Sequence, residues 1–152
     1  MASPPYIAVI GASSPTASQE QAAEAVGRAL GEAGAIVVNG GGGGVMAAAS
    51  RGARTAGATV VGILPGLDRD AANRWVTVAV PTGLGELRNG LIIRCADAVV
   101  AVGGAYGTLS EIALALTAGR GVVGLDSWPI EGMEAAQTPD GAARRALELA
   151  AG

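Results

Sequence analysis

The amino-acid sequence predicts a doubly wound α/β fold, a Rossmann-like and mostly parallel sheet of about six strands with helices on both faces. Three observations predict it. Apolar, β-branched runs alternate along the chain with longer alanine-rich stretches, which is the order of β–α–β units. Most runs are continuously apolar, as in strands covered on both faces. Several are followed at once by glycine-rich loops, which is where such sheets bind ligands.

The predicted strands are short runs rich in Val, Ile and Ala. They are residues 6–10 (YIAVI), 35–39 (AIVVN), 59–64 (TVVGIL), 75–80 (WVTVAV), 98–102 (AVVAV) and 121–125 (GVVGL). The alanine-rich stretches between and after them predict helices over residues 17–33, 45–56, 85–95, 108–118 and 139–151. Residues 66–74 and 126–141 carry turn-forming residues and are expected to be surface connections.

The chain of 152 residues has the length of one domain. No internal repeat or linker divides it, so we expect residues 1–152 to form a single nucleotide- or phosphate-binding domain. No apolar stretch is long enough for a membrane span, and no signal peptide is predicted. The lone cysteine, Cys95, excludes an intrachain disulfide and fits a reducing compartment. A cytoplasmic location is expected.

The composition excludes several classes of chemistry. The sequence has no histidine, which excludes Ser-His and Cys-His nucleophilic systems and zinc held by histidine. All ten basic residues are arginine, so there is no lysine for a pyridoxal phosphate Schiff base or for a Walker phosphate loop. A net charge of −3 argues against a nucleic-acid partner. No required cofactor and no metal are expected.

Two predicted strands end in loops that favour a phosphate or nucleotide. The first is followed by "GASSP" and the second by "NGGGGGVM". Glycines let an anion approach the backbone closely, and the N-terminus of the next helix adds partial positive charge. The candidate ligand residues are Gly11, Ser13, Gly41, Gly42 and Gly43. The alternatives are simple strand-to-helix turning and N-capping of the next helix by Ser13 or Ser14.

These loops do not match a dinucleotide-binding fingerprint. "GASSP" lacks the G-x-G-x-x-G pattern after the first strand, and no acidic residue ends the second strand to bind a ribose. NAD is therefore not expected.

The fifth predicted strand is followed by "GGAYGTLSE", residues 103–111. Thr108 and Glu111 have the T-x-x-E spacing of a capping box, in which both side chains serve only the helix start. The other interpretation is a glycine-rich phosphate cradle with a carboxylate beside it. Spacing alone leaves both open. Tyr106 in this loop can stack on a base or shield the loop.

"GGAYGTLSE", together with "GELRN" around Arg88 and "GGGGGVM", resembles the Lonely Guy family of phosphoribohydrolases, once mislabelled lysine decarboxylases, whose hallmark is P-G-G-x-G-T-x-x-E. The resemblance extends over nearly the whole chain. It is nearest to a small bacterial branch that includes proteins similar to molybdenum cofactor carriers. The hydrolases of the family cleave nucleoside 5′-monophosphates to a free base and ribose 5-phosphate.

The resemblance implies roles for individual residues. Arg88 and Glu111 correspond to the catalytic pair, and Gly103, Gly104, Gly107 and Thr108 correspond to phosphate-binding residues, with Asn89 and Tyr106 beside them. A carboxylate under the sugar would stabilise the oxocarbenium character of the transition state. Arg88 stays protonated and would grip phosphate or ribose and keep Glu111 ionised. The alternative for Arg88 is an ion pair with Glu86.

Two positions depart from the hydrolase pattern. Val102 stands in place of the hallmark proline, and Asn89 stands where many hydrolases have lysine. Two functions therefore remain: the leading one is a nucleoside 5′-monophosphate phosphoribohydrolase, and the alternative is a non-catalytic carrier of a phosphorylated heterocycle such as molybdenum cofactor. The expected partner is a small phosphorylated, nucleotide-like molecule. The alanine-rich helices and the resemblance both predict a homo-oligomer, a homodimer or homotetramer.

Overall fold

The computed structural model of the chain describes residues 2–152. The strands are β1 (Tyr6–Gly11), β2 (Ile36–Asn39), β3 (Val60–Leu64), β4 (Val78–Pro81), β5 (Ala98–Val102), β6 (Gly121–Leu125) and β7 (Glu134–Ala135). The α-helices are α1 (Ala17–Glu32), α2 (Val45–Thr55), α3 (Asn89–Cys95), α4 (Tyr106–Thr117) and α5 (Pro139–Ala151). Two short 3₁₀ helices span Arg69–Ala71 and Gly85–Arg88.

The strands form one parallel sheet in the order β4-β3-β2-β1-β5-β6-β7. β1 lies at its centre, with Ile7 opposite Val37 of β2 on one side and opposite Ala98 of β5 on the other. The chain builds outward from β1 in one direction as far as β4, and then returns to the other side of β1 with β5. The crevice between the carboxyl ends of β1 and β5 is therefore the topological switch point, where doubly wound sheets bind ligands.

Side chains alternate between two cores on the two faces of the sheet. In β1, Ile7 and Val9 belong to the core that includes residues of α1, α2 and α5. Ala8 and Ile10 belong to the core that includes residues of α3 and α4. All four are at most 2% exposed. The continuously apolar pattern of the strands is thus explained by burial on both faces.

Helices α1 and α2 pack with their backbones in contact. A Cβ atom added at Gly27 of α1 would collide with the carbonyl oxygen of Ala49, and one added at Gly52 of α2 would collide with that of Glu24. Small residues therefore bring these two helices together within the chain. Alanine and glycine here have an intrachain use, and the homo-oligomer expected from the alanine-rich helices stays a prediction.

The predicted fold class is confirmed, with four corrections to its elements. The sheet has seven strands rather than about six, because Glu134–Ala135 pairs with β6 inside a segment expected to be a surface connection. β4 begins at Val78, three residues later than expected. The helix expected over residues 85–95 is a 3₁₀ helix followed by α3. α4 begins at Tyr106, two residues earlier than expected.

Within residues 2–152, no helix combines the length and the apolar character needed to cross a membrane.

Candidate functional site

A cavity of about 570 Å³ lies at the carboxyl edge of the sheet, beside the switch point. Its walls come from the loop after β1, the glycine loop after β2, helix α3 with the 3₁₀ helix before it, and the start of α4. Eight residues predicted from the sequence as catalytic or binding line it: Gly11, Ser13, Arg88, Asn89, Tyr106, Gly107, Thr108 and Glu111. The fold thus brings together residues that are up to 100 positions apart in the sequence.

Arg88 is the one cationic side chain among the described residues that line this cavity. It is half-buried where the 3₁₀ helix Gly85–Arg88 meets α3. Its Nε donates a hydrogen bond to the carbonyl oxygen of Ile63 at 2.9 Å, and its Nη1 donates to Oδ1 of Asn89. Burial lowers the pKa of the Arg88 guanidinium, and the charges of Glu111 and Glu86 act in the opposite direction. It remains a cation at any pH relevant to a cell.

The alternative interpretation of Arg88, an ion pair with Glu86, is wrong. The five ion pairs among the described residues do not include Arg88. Its guanidinium is turned instead towards Ile63 and Asn89, inside the cavity wall.

Glu111 is buried in the second turn of α4 and is 8% exposed. Glu111 lines the cavity, and its carboxylate accepts no hydrogen bond from the described residues. Burial raises the pKa of the Glu111 carboxyl to about 7, and the charge of Arg88 acts against this rise. Arg88 therefore reduces the effect of burial without cancelling it, and Glu111 changes its charge near neutral pH rather than staying ionised as the sequence suggested.

The capping-box interpretation of Thr108 and Glu111 is wrong. Because α4 begins at Tyr106, Thr108 occupies the third helical position and Ala105 is the N-cap. The Thr108 hydroxyl accepts the N–H of Ala105 at 3.2 Å, and Thr108 is 2% exposed. Glu111 takes no part in the cap. Helix initiation therefore does not explain why Glu111 lies in the cavity wall.

The start of α4 presents backbone donors to the cavity. The N–H groups of Tyr106, Gly107 and Thr108 precede the first intrahelical hydrogen bond, that of Leu109 to Ala105, and have no backbone acceptor among the described residues. Such groups carry the partial positive charge of a helix N-terminus. Tyr106 and Gly107 are exposed at the cavity rim, where a ligand can reach them.

Gly103 and Gly104 do not line this cavity. The N–H of Gly103 donates to the carbonyl oxygen of Leu125, and its carbonyl accepts from the Ser127 hydroxyl. Both glycines have positive φ, +57° and +145°, and an added Cβ would strike Gln19 at the first and Trp128 at the second. These glycines form the turn between β5 and α4, and this turn places the start of α4 at the cavity. A phosphate-binding role for them stays a prediction.

The glycine loop after β2 contributes Gly40 to the cavity wall, whereas Gly41, Gly42 and Gly43 lie outside it. Asn39, fully buried, holds the loop: its Oδ1 accepts the N–H of Gly41 at 2.8 Å, and its Nδ2 donates to the Ser50 hydroxyl at 2.9 Å. Asn73 holds the outer side, with its N–H bonded to the carbonyl of Gly41 and its side chain to that of Gly42.

Ser13 lines the cavity and does not cap α1. The N-cap of α1 is Thr16, whose hydroxyl accepts the N–H of Gln19, while the Gln19 side chain accepts the N–H of Thr16. The capping role considered for Ser13 and Ser14 is therefore wrong. The hydroxyl of Ser13 is left available to a molecule in the cavity.

The apolar part of the site and Gly40 were not predicted from the sequence. Val9, Ile10, Met46, Pro65 and Ile92 line the cavity. Of these, Met46 and Pro65 keep exposed surface that a planar or cyclic group can contact, whereas Val9, Ile10 and Ile92 are buried behind it. Gly40 could have been found because it is the first residue after β2; the apolar residues carry no signal that separates them from the core.

Comparisons with known proteins place the chain among related sequences and structures. A sequence profile of the SLOG cluster4 family matches residues 4–149. An uncharacterised protein of Archaeoglobus fulgidus is 42% identical over 135 residues, which are 88% of this chain and 89% of that one. The Lonely Guy-like family predicted from the sequence is thereby confirmed, and the structures described next match its branch that is similar to molybdenum cofactor carriers.

Two solved structures are similar over almost the full length of both chains. The molybdenum cofactor binding protein of the phototrophic bacterium Rippkaea orientalis superposes with a TM-score of 0.91 at 29% identity, covering 97% of this chain and 98% of that one. The molybdenum cofactor carrier protein of Chlamydomonas reinhardtii superposes with a TM-score of 0.88 at 31% identity, covering 99% and 100%.

Proposed function

The chain belongs to the SLOG cluster4 family, and from that membership we propose that it binds a phosphorylated heterocycle and acts as a carrier of a molecule of the molybdenum cofactor type. One observation carries the proposal: Arg88 and the free N–H groups at the start of α4 line the same cavity. The first supplies a fixed positive charge, and the second supplies donors for a phosphate oxygen. The accessible apolar side chains of Met46 and Pro65 would contact the rings.

The similarity to two proteins described as binding or carrying molybdenum cofactor supports this choice of ligand. A cavity of about 570 Å³ is of the size that small-molecule sites have in proteins. The phosphate of the pterin would lie against α4 and Arg88. In this role the protein needs no group that performs chemistry, and the missing histidine and lysine are no obstacle.

A transfer experiment tests the carrier function. The purified protein is mixed with molybdenum cofactor released from a donor enzyme and desalted, and the retained pterin is oxidised and measured by its fluorescence. We expect retention by the wild type and loss of most of it in Arg88→Gln. Arg94→Gln, which changes an exposed arginine at the other end of α3, serves as the matched control. Equal retention by the two variants, or none by the wild type, contradicts the proposal.

A phosphoribohydrolase is the second candidate, favoured by the buried, unpaired Glu111 in the same cavity as Arg88. A carboxylate there would stabilise the positive charge that develops on a ribose ring. The test is release of free base from a panel of nucleoside 5′-monophosphates, followed by chromatography. For an enzyme, Glu111→Gln lowers turnover on the order of a hundredfold while binding persists. If no monophosphate in the panel is cleaved, the carrier function is favoured.

Several attributes of the protein follow as parts of the same proposal. The carrier works in the cytoplasm as a single domain and assembles as a homodimer or homotetramer. It needs no resident cofactor, since the phosphorylated heterocycle is its cargo. Analytical ultracentrifugation checks the assembly state, and a single monomeric species would contradict it.

A further inference from the structure

We propose that Asn89 and Gly40 are positioning residues for Arg88. Together with the Ile63 carbonyl they hold its guanidinium in one orientation, so that an anion entering the cavity meets a cation that is already in place. This inference rests on the proposed function in one respect only: that function supplies the anion that Arg88 would bind. The orientation of Arg88 itself can be tested in the free protein.

The first support is the hydrogen bonding of the guanidinium. Nε donates to the Ile63 carbonyl, and Nη1 donates to Asn89, so two of its three nitrogens are bound to acceptors that belong to the fold. Ile63 lies in β3 and is 4% exposed, and Asn89 opens α3 and is 8% exposed. Neither acceptor can move away easily. Nη2 has no acceptor among the described residues and remains for a ligand.

The second support is the space at Gly40. A Cβ atom there would lie 2.7 Å from Nη2 and 3.1 Å from Cζ of Arg88. The guanidinium therefore lies directly over the Cα of Gly40, in a slot that any other residue would close. The remaining close atom, Sδ of Met46 at 2.9 Å, is also the end of a flexible side chain. No backbone atom is among the three nearest, so an alanine at this position displaces side chains rather than the chain itself.

Fixing Arg88 in advance changes what the site can do. A free arginine loses rotational freedom each time it binds an anion, whereas a guanidinium held by the fold has lost it already. Its Nη2 remains unbonded in the cavity that the start of α4 also lines. Together with the free N–H groups of α4, it offers an oxyanion charge-assisted donors that are already in place.

The decisive experiment observes the Arg88 Nε–H signal by NMR in the free protein. Arg88→Gln identifies the signal by its loss. In the wild type we expect slow hydrogen exchange at Nε and restricted rotation about the Cζ–Nε bond. Asn89→Ala and Gly40→Ala should each accelerate exchange at least about tenfold. Gly90→Ala is the matched control, because it lies on α3 beside Asn89 and an added Cβ meets nothing within 4 Å.

A second measurement connects this orientation to binding. Sulfate is titrated calorimetrically as a probe of fixed charge, and we expect both variants to bind it about tenfold more weakly than the wild type and Gly90→Ala. In the Arg88→Gln background, Asn89→Ala should have no further effect, since its only target is absent. The inference is overturned if hydrogen exchange at Arg88 Nε is unchanged in both variants. It is also overturned if Asn89→Ala weakens sulfate binding in the Arg88→Gln background as much as it does in the wild type. A wild type that binds no sulfate refutes the anion site, while the NMR experiment still decides the positioning.

Discussion

The Arg88 guanidinium and the Glu111 carboxylate line one cavity without forming an ion pair. Arg88 donates hydrogen bonds to Ile63 and Asn89, whereas Glu111 has no hydrogen-bond donor among the described residues. An opposite charge close by normally favours an ionised carboxyl. Here burial outweighs it and raises the pKa of Glu111 to about 7. Besides the exposed Glu86 at its edge, the site thus contains one permanent positive charge and one buried carboxyl whose negative charge appears only around neutral pH.

This arrangement predicts that anion binding weakens as the pH rises. Sulfate is a suitable probe because its charge is constant over the range. Between pH 6 and pH 8 the Glu111 carboxyl ionises and repels the anion, so we expect affinity to fall about tenfold. Calorimetric titration at both pH values measures it. The pH dependence should vanish in Glu111→Gln, and a wild type with equal affinity at both values would contradict this prediction.

The same carboxyl predicts a pH-dependent folding stability. Its pKa is raised from 4.5 to about 7 on folding, so below pH 4.5 both states bind the proton and no stability is lost. As the pH rises from 4.5 to 7, the unfolded state releases its proton first and the folded state becomes less stable. Above pH 7 the loss amounts to about 3 kcal/mol.

Urea unfolding of Glu111→Gln checks this loss. The variant should be more stable than the wild type by about 3 kcal/mol at pH 8.5 and nearly equal to it at pH 4.5. Glu131→Gln, at an exposed position, is the control. A difference between variant and wild type that is the same at both pH values would rule out a raised pKa for Glu111.

A third prediction concerns the start of α4. Thr108→Val removes the hydroxyl that accepts the Ala105 N–H and should destabilise the protein by about 1 kcal/mol. Thr108→Ser should retain most of the stability because the acceptor remains. Thr117→Val, which removes an exposed hydroxyl near the other end of α4, is the matched control. Urea unfolding and faster hydrogen exchange at the Ala105 amide give the two readouts; equal losses in Thr108→Val and Thr117→Val would count against the role of Thr108.

A fourth prediction concerns the contact between α1 and α2. Alanine is normally better than glycine inside a helix by about 1 kcal/mol. Gly27→Ala should nevertheless lower the free energy of unfolding by about 2 kcal/mol, because its Cβ would collide with the Ala49 carbonyl oxygen. Gly90→Ala, in open space, should be neutral or stabilising. Denaturant unfolding compares them, and a stabilised Gly27→Ala variant would show that the two backbones are not in contact.

The sequence was sufficient for the fold because its strands carry a strong signal. Continuously apolar runs identify β1, β2, β3, β5 and β6 to within about one residue at either end. β7 carries no such signal, since Glu134 and Ala135 are exposed and join the sheet through their backbones alone. The late start of β4 has the opposite origin: Trp75 and Thr77 are typical strand residues, but they bond to Arg54 and Val60 without joining a regular strand pairing.

The candidate site was predictable where local sequence determines it. The glycine-rich loops, and the family resemblance that "GELRN" and "GGAYGTLSE" carry, identified residues that meet in one cavity. The orientation of Gly103 and Gly104 depends on Gln19 and Trp128, which are distant in the sequence, so it could not be inferred. The capping of α4 was misjudged because alanine is an unusual N-cap, and the threonine two residues inside the helix looked like a better start.

The backbone contacts of Gly27 with Ala49 and of Gly52 with Glu24, which join α1 to α2, have a mechanical consequence. α1 and α2 carry at their N-termini the two loops that follow β1 and β2, and each loop forms part of the cavity wall. Because their backbones are in contact, α1 and α2 are not expected to slide or tilt independently of each other. We therefore expect that half of the cavity to be rigid, and any change in its width on ligand binding to come from the opposite half, which α3 and α4 form.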